Sequence, residues 1–293
     1  MSLTEIQQTI ATLAERHRPS VVGVGRGWRL ASGAVIADGR VVTSSHRVRG
    51  DETTVSFASD REQTARRLAT DHDLGLAVLE VDTGDAPPFE WAEESPALGT
   101  AVVALADPGG RGLRASPGFV TASDRTFRGP RGRKIEGAIE HTAALPRGAA
   151  GGPLLDTEGR LVGLNLLRLE GGLILALGVT TRELIDSLGR GERPQRGYLG
   201  VAVAPPYVAH KLQRALGLPE RDGVLVRAVE EGSPAAVGGL ERGDLIITAG
   251  GREVDGIDTL HEVVGAATGS LPLTVVRGAE ERELEVAPAG EQS

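Results

Sequence analysis

Short apolar runs separated by Gly, Pro and Asp dominate the chain from Ser20 to Leu188 and restrict the folds open to it. Examples are Val21–Val24, Val41–Thr43 and Leu76–Leu79. Many short strands with frequent turns are typical of a β-barrel or a β-sandwich. The chain contains 41 glycines and only 3% aromatic residues, a composition that suits many turns. The sequence therefore predicts a mainly β fold.

The N-terminal residues follow a different period. Leu3, Ile6, Ile10 and Leu13 recur at helical spacing, and Pro19 ends the pattern. Apolar residues three and four positions apart form one face of an amphipathic helix. We therefore predict a short helix within residues 1–19, packed either on the core of the chain or on a neighbouring subunit.

The chain is long enough for two domains. It has 293 residues, and the segment GRGERPQR at 189–196 is polar, charged and interrupted by Gly and Pro. Such a composition is typical of a linker between domains. We predict a first domain over residues 20–189, a linker over 190–196, a second domain over 197–288 and a tail over 289–293.

The charge balance argues against a nucleic-acid partner. The net charge is −8, whereas nucleic-acid binding favours a basic face. The main basic cluster, residues 125–134 (RTFRGPRGRK), contains Gly and Pro and is expected to form an exposed loop. There is no cysteine, which excludes disulfides and thiol catalysis. No histidines have the His-x-x-x-His spacing of a zinc site, so neither a metal nor another cofactor is expected.

No segment approaches the roughly 18 apolar residues that a membrane helix requires. The first residues also lack the basic start and apolar run of a signal peptide. From the sequence we therefore expect either a cytoplasmic protein or an exported protein whose leader has been trimmed, and the compartment stays open between these two.

The stretch Glu140–Asn165, EHTAALPRGAAGGPLLDTEGRLVGLN, has a glycine-rich centre. Glycines let a turn adopt positive φ angles, which can direct backbone N–H groups towards one point. Acyl transfer uses such N–H groups to stabilise a developing oxyanion. Residues Gly148, Ala149 and Ala150 are therefore the candidate oxyanion hole.

The same stretch resembles the nucleophile loop of trypsin-like serine proteases, Gly-x-Ser-Gly-Gly-Pro-Leu, with flanks similar to those of the HtrA family. Ala150 stands at the serine position. The resemblance implies two β-barrels with an active site between them. It also implies a general base and an acid that orients that base.

The candidate base is His46, in the segment VVTSSHRV, which is similar to the family's strand-then-Thr-x-x-His segment. The candidate acid is Asp73, which precedes an apolar strand. A competing register aligns Leu76–Leu79 with the family's Leu-Ala-Val-Leu and puts Gly75 at the acid position. We predict Asp73 because a period-two strand places residues 73 and 75 on the same face, and Asp71 is the fallback. The chain order His46, Asp73, Ala150 matches that of trypsin-like proteases.

The resemblance also implies a specificity pocket lined by small or apolar residues, which would accept small aliphatic side chains. Its predicted members are Ala144, Leu164, Asn165 and Leu166.

Residues 197–288 resemble a bacterial PDZ domain, in which Ser-Pro-Ala (233–235), Gly-Leu-x-x-Gly-Asp (239–244) and a Gly-x-x-Val turn (251–254) recur in this order. The resemblance implies an α+β domain whose groove binds peptide C-termini by adding them as a strand. The predicted groove residues are Tyr198, Leu199, Gly200, Val201, Leu260 and Val264.

Together the motifs predict an HtrA-like serine endopeptidase of protein quality control that acts on unfolded or damaged proteins. Two explanations of Ala150 compete. The retained His46 and Asp73 favour an engineered Ser→Ala change, and the alternative is a natural pseudoprotease that serves as a peptide-binding chaperone or scaffold. Either way the chain as given is expected to be inactive. HtrA proteins commonly trimerise, so a homotrimer is a further expectation from the resemblance.

Overall fold

The computed structural model describes residues 3–27, 30–58, 61–129, 134–168, 172–192, 197–217 and 219–290. The chain folds into two compact units, residues 1–194 and 195–293. Each unit has its own clusters of buried hydrophobic residues.

The first unit begins with a closed six-stranded barrel in the order β1-β2-β3-β6-β5-β4. Its strands are β1 (Val21–Val24), β2 (Ala31–Ala37), β3 (Arg40–Ser44), β4 (Glu52–Ser56), β5 (Glu62–Asp71) and β6 (Leu76–Glu80). Every neighbouring pair is antiparallel. Val22, Val35, Val41 and Val55 fill the interior and are fully buried, as β-branched residues do on a pleated surface.

A second closed barrel follows in the order β10-β11-β12-β9-β8-β7. Its strands are β7 (Ala101–Ala106), β8 (Arg114–Arg128), β9 (Lys134–His141), β10 (Pro153–Leu155), β11 (Leu161–Arg168) and β12 (Ile174–Gly178). The candidate nucleophile loop connects β9 to β10. The predicted mainly β fold, with a trypsin-like pair of barrels, is confirmed.

Helix α1 (Leu3–His17) packs on the first unit of its own chain. Leu13 is 4% exposed, and the His17 ring stacks on Phe89 with ring centroids 5.1 Å apart. The predicted N-terminal helix is therefore present, and core packing accounts for Ile10 and Leu13 on its apolar face, whereas Ile6 is exposed. A short helix α2 (Arg182–Gly189) ends the unit and buries Ile185 and Leu188.

The second unit contains a six-stranded antiparallel sheet, with two helices besides a short turn of helix. Its elements are β13 (Gly197–Tyr198), β14 (Val201–Ala204), α3 (Pro206–Leu216), β15 (Val224–Val229), α4 (Pro234–Val237), β16 (Leu245–Ala249), β17 (Arg252–Glu253), α5 (Ile257–Ala266), β18 (Leu271–Arg277), β19 (Glu280–Val286) and β20 (Ala289–Gly290). The order of the main sheet is β14-β15-β16-β18-β19, β17 pairs with β16, and β13 pairs separately with β20. Strand β14 therefore lies at an edge of the main sheet.

A charged cluster fixes the loop between α4 and β16. The Arg277 guanidinium contacts both carboxylate oxygens of the fully buried Asp244 at 2.7 and 2.8 Å, and it also donates to the Gly239 carbonyl oxygen. Such two-pronged contacts are the strongest hydrogen bonds between charged side chains. The Asp244 interaction raises the pKa of Arg277.

Replacing Arg277 with Met is expected to destabilise the second unit by about 3 kcal/mol, because the Asp244 carboxylate would remain buried without its cation. Hydrogen exchange of peptides from β16 and β18 measures this change. The two tryptophans, at positions 28 and 91, belong to the first unit. Their fluorescence should therefore stay the same in parent and variant, which serves as an internal control. Arg282→Met removes an exposed pair with Glu280 and should change exchange little. Equal effects of the two variants would contradict the role given to Arg277.

Candidate functional site

The loop between β9 and β10 keeps the backbone shape of an oxyanion cradle. Gly151 has a φ of 89°, and a Cβ atom there would lie 2.4 Å from the Ser32 carbonyl oxygen, so only glycine fits. The Gly152 N–H donates to the Ala149 carbonyl oxygen at 3.0 Å. Because the C=O and N–H groups of a trans peptide point in opposite directions, the Ala150 N–H is directed away from this bond.

Ser32 ties this loop to the first barrel. Its hydroxyl donates to the Gly148 carbonyl oxygen at 3.1 Å and accepts from the Asp107 N–H at 3.0 Å. Its own N–H donates to the Ala150 carbonyl oxygen at 3.1 Å. None of these bonds requires a side chain at position 150.

A buried hydrogen bond between His141 and Asn165 helps to hold the loop between β9 and β10 in place. Their side chains meet at 2.9 Å between Nε2 and Oδ1, and the Asn165 amide donates to the Gly152 carbonyl oxygen at 2.9 Å. The Ala143 N–H donates to His141 Nδ1 at 3.2 Å. Nδ1 is therefore the acceptor, so Nε2 carries the proton and donates to Asn165. Burial lowers the pKa of His141 to about 4, against the opposing effect of the Asn165 hydrogen bond.

His141 was not among the residues predicted from the sequence. It lies at the end of β9 and is fully buried. A histidine at the end of an apolar strand gives no signal of its own, because its partner Asn165 is far away in the sequence.

The predicted pocket residues fall into two groups. Ala144 is exposed and Leu166 half-buried, so both can contact a ligand. Leu164 is fully buried in the core cluster, and the Asn165 side chain is committed to His141 and the loop. Leu164 and Asn165 thus support the loop in this structure and do not present side chains to an open pocket.

His46 lies on a short 3-10 turn after β3 and is exposed. One of the predicted acid positions, Gly75, lies close to its ring. A Cβ atom on Gly75 would lie 3.3 Å from His46 Nε2 and 3.8 Å from its Cδ2. The adjacent Ser45 N–H donates to the Gly75 carbonyl oxygen at 2.8 Å. In a working triad the acid meets Nδ1 and leaves Nε2 for the nucleophile, whereas Nε2 is the His46 nitrogen that lies close to Gly75 in this structure.

Asp71 is the last residue of β5, and Asp73 lies in the turn that follows it. Asp71 accepts from the Leu74 N–H at 2.9 Å, and the Asp73 backbone packs close to Gly129. The structure brings Gly75 close to His46, and Asp73 as the acid stays a prediction. This geometry favours the register that puts Gly75 at the acid position.

The predicted peptide groove of the second unit has a similar backbone device. Gly200 has a φ of 76°, and a Cβ atom there would lie 2.3 Å from the Ser233 Cβ. The carbonyl oxygens of Leu199 and Gly200 accept from the N–H groups of Ala235 and Glu230 at 2.9 and 2.8 Å. The N–H groups of Gly200 and Val201 are therefore turned away from these partners, as a site for a peptide carboxylate requires.

Apolar side chains pack beside this loop. Leu199, Leu260 and Val264 belong to one buried cluster, and Val201 is half-buried on the edge strand β14. Helix α5 thus lies against the start of the loop, as the groove prediction requires.

The described residues contain no group of His, Asp or Glu side chains that could hold a metal ion. Within the same residues, none of the helices has the length and apolar character needed to cross a membrane.

Two family models match the chain. A trypsin-like peptidase domain matches residues 31–164, and a PDZ domain matches residues 225–277. Among solved structures, an HtrA-type protease AlgW with decapeptide superimposes with a TM-score of 0.76 at 23% identity, covering 97% of this chain and 99% of that chain. A second AlgW structure, with tripeptide, gives a TM-score of 0.70 at 26% identity, covering 97% of this chain and 98% of that chain.

Two curated relatives are named probable periplasmic serine endoprotease DegP-like. The one from Halomonas elongata is 31% identical over 268 residues, covering 88% of this chain and 56% of the relative. The one from Brucella suis is 32% identical over 290 residues, covering 93% of this chain and 54% of the relative. The chain thus spans about half the length of the curated relatives it matches.

The relatives' names correct one expectation. The sequence left the compartment open between cytoplasmic and exported, and the cytoplasmic alternative was wrong. Relatives named periplasmic point to an exported protein.

Acid is expected to destabilise the first unit through His141. Below pH 6.5 the unfolded chain binds a proton at this imidazole, whereas the folded chain does not until the pH falls to about 4. The contribution of His141 to the free energy of unfolding is therefore fully present above pH 6.5. It is lost between pH 6.5 and 4 and amounts to roughly 3 kcal/mol. Urea unfolding followed by tryptophan fluorescence at pH 7.5, 5.5 and 4.5 measures the loss.

His141→Gln isolates this contribution, since its amide can still donate to Asn165 but does not titrate. The pKa of His17 is also lowered, first by burial, and His17 is present in both proteins, so its effect cancels in the difference. An identical pH slope for the variant and the parent would show that His141 does not carry the effect.

Proposed function

We propose that this chain binds peptide segments of other proteins without cleaving them. It belongs to the HtrA family of trypsin-like proteases with a PDZ domain. The family's named members are serine endoproteases. In this chain we infer that binding has been retained and hydrolysis lost. The observation that carries the proposal is the position of Gly75 against His46.

Cleavage needs a nucleophile, a base that takes its proton and an acid that orients the base. Ala150 removes the nucleophilic oxygen. Gly75 contributes no carboxylate beside His46 and leaves Nε2 directed at the acid position. Two of the three functional groups of the triad are therefore missing by this assignment, and the third is misdirected.

This double loss supports natural decay over engineering. A serine replaced only to trap a substrate would leave the acid in place beside the base. The alternative, an active endopeptidase whose serine was changed to Ala150, draws support from the intact cradle and the retained His46. It requires Asp73 or Asp71 to reach His46 in an active state.

Peptide binding is assigned mainly to the second unit. Its loop at Gly200 turns two N–H groups away from their own sheet, and the half-buried Val201 lies beside them, backed by the buried Leu199, Leu260 and Val264. The AlgW structures named with a decapeptide and with a tripeptide agree with peptide binding in this family. We extend the proposal to unfolded or damaged proteins as the source of those peptides, and to a homotrimer as the assembly.

Ala150→Ser is expected to leave the chain unable to hydrolyse casein or to react with a fluorophosphonate probe. Loss of the acid alone lowers kcat by about 10⁴ in a serine protease. Adding Asp at the acid position, in the double variant Gly75→Asp with Ala150→Ser, should restore measurable labelling. The gain will be partial, because the φ of 68° at Gly75 costs an ordinary residue about 1–2 kcal/mol.

The matched control is Gly75→Asn with Ala150→Ser, which supplies a side chain of the same shape without the charge. It should label far more slowly than the Asp variant. Rapid casein cleavage by Ala150→Ser alone would overturn the proposal in favour of an endopeptidase with its nucleophile removed. Asp73→Asn and Asp71→Asn in that background would then identify its acid.

A further inference from the structure

We propose that Glu230 makes the groove of the second unit prefer peptide C-termini that carry a Lys or Arg close to the terminal carboxylate. This inference rests on the proposed binding of peptides by the second unit and adds the charge of the ligand. It assigns to an exposed acidic side chain a role in choosing the partner.

Glu230 is attached to the candidate carboxylate loop at two points. Its N–H donates to the Gly200 carbonyl oxygen at 2.8 Å. Its carboxylate accepts a hydrogen bond from the Tyr198 hydroxyl. That hydroxyl oxygen lies 3.1 Å from the place a Cβ atom on Gly200 would occupy. The tyrosine therefore holds the Glu230 carboxylate next to the residue whose N–H is turned outwards.

Glu230 has no basic partner among the residues that the structure describes. Within the described residues, the bonds to its carboxylate come from Tyr198, a neutral donor, and no Lys or Arg pairs with it. Asp244 in the same unit shows the contrast, since Arg277 neutralises it. The Glu230 side chain is exposed beside the loop, so a ligand that enters the loop can meet its carboxylate.

A peptide C-terminus brings a second negative charge to this place. The outward N–H groups attract it, while Glu230 repels it at short range. A Lys or Arg within the last three residues of the peptide removes the penalty, because its cation can pair with Glu230. The surface thus fits a tail with an apolar end and a neighbouring basic residue.

The test measures fluorescence anisotropy of labelled decapeptides with the full chain at low salt. All three peptides end in the same apolar residue. The first has a free carboxylate, the second differs from it only by Lys at the penultimate position, and the third has the sequence of the first but ends in an amide. The parent protein should bind the Lys peptide about three- to fivefold more tightly than the first peptide, the range of an exposed ion pair.

Glu230→Gln should abolish that preference, mainly by tightening the binding of the first peptide, and 0.5 M salt should reduce the preference in the parent protein. The matched control is Glu231→Gln, which removes the same charge from the next exposed residue and should leave the ratio unchanged. Tyr198→Phe releases the Glu230 side chain and should weaken the preference without removing the charge.

The outcomes separate the inference from the proposed function. If the free-acid peptides bind and the amide does not, but Glu230→Gln leaves the Lys preference as it is, the role of Glu230 is wrong and the groove stands. An equal change in Glu231→Gln would also overturn it, since the effect would then be one of net charge. Failure of every peptide to bind to every variant would refute the groove itself, and with it this inference.

Discussion

The hydrogen bond between His141 and Asn165 is the contact on which the shape of the candidate active site depends. Both side chains are buried, and a buried polar group without a partner costs about 1–3 kcal/mol. Their network fixes the carbonyl oxygen of Gly152, and Ser32 fixes those of Gly148 and Ala150 from the other side. The cradle is therefore held by contacts that do not involve a nucleophile. Replacing a serine by Ala150 removes none of them, which explains how the loop can keep its form when the chemistry is gone.

The base has no comparable support. His46 is exposed on a short turn, and its neighbour Gly75 offers it only main-chain atoms. An imidazole is oriented by the hydrogen bond that its second nitrogen makes. Gly75 offers no carboxylate to this ring, and Nε2 lies towards Gly75 in this structure. The loop is thus held by buried hydrogen bonds. The base would need a hydrogen bond between its ring and a carboxylate, which Gly75 does not provide.

Much of this arrangement could be predicted from the sequence, since it depends on local patterns. The strands follow from apolar runs, and the glycine-rich loop requires positive φ at Gly151. The acid position was harder to predict from the sequence. The expectation that residues 73 and 75 share a face assumed a continuous strand, but β5 ends at Asp71 and β6 begins at Leu76. The residues between them form a turn, in which the period of two does not apply. His141 and Asn165 are 24 residues apart, and no periodicity within one strand connects such partners.

The two units use one backbone device for two kinds of negative oxygen. Each contains a glycine with positive φ, Gly151 or Gly200, and a nearby carbonyl oxygen that accepts a backbone hydrogen bond. The N–H group of the same peptide unit therefore points the opposite way. In the first unit such a cradle serves an oxyanion that exists only while a bond is being broken. Without a nucleophile that charge never forms, so the cradle can offer a substrate only ordinary hydrogen bonds. In the second unit the corresponding ligand, a peptide carboxylate, is charged before it binds. In the proposed peptide-binding function the N–H groups at Gly200 therefore keep their use without cleavage, and the neighbouring Glu230 is proposed to select among carboxylates.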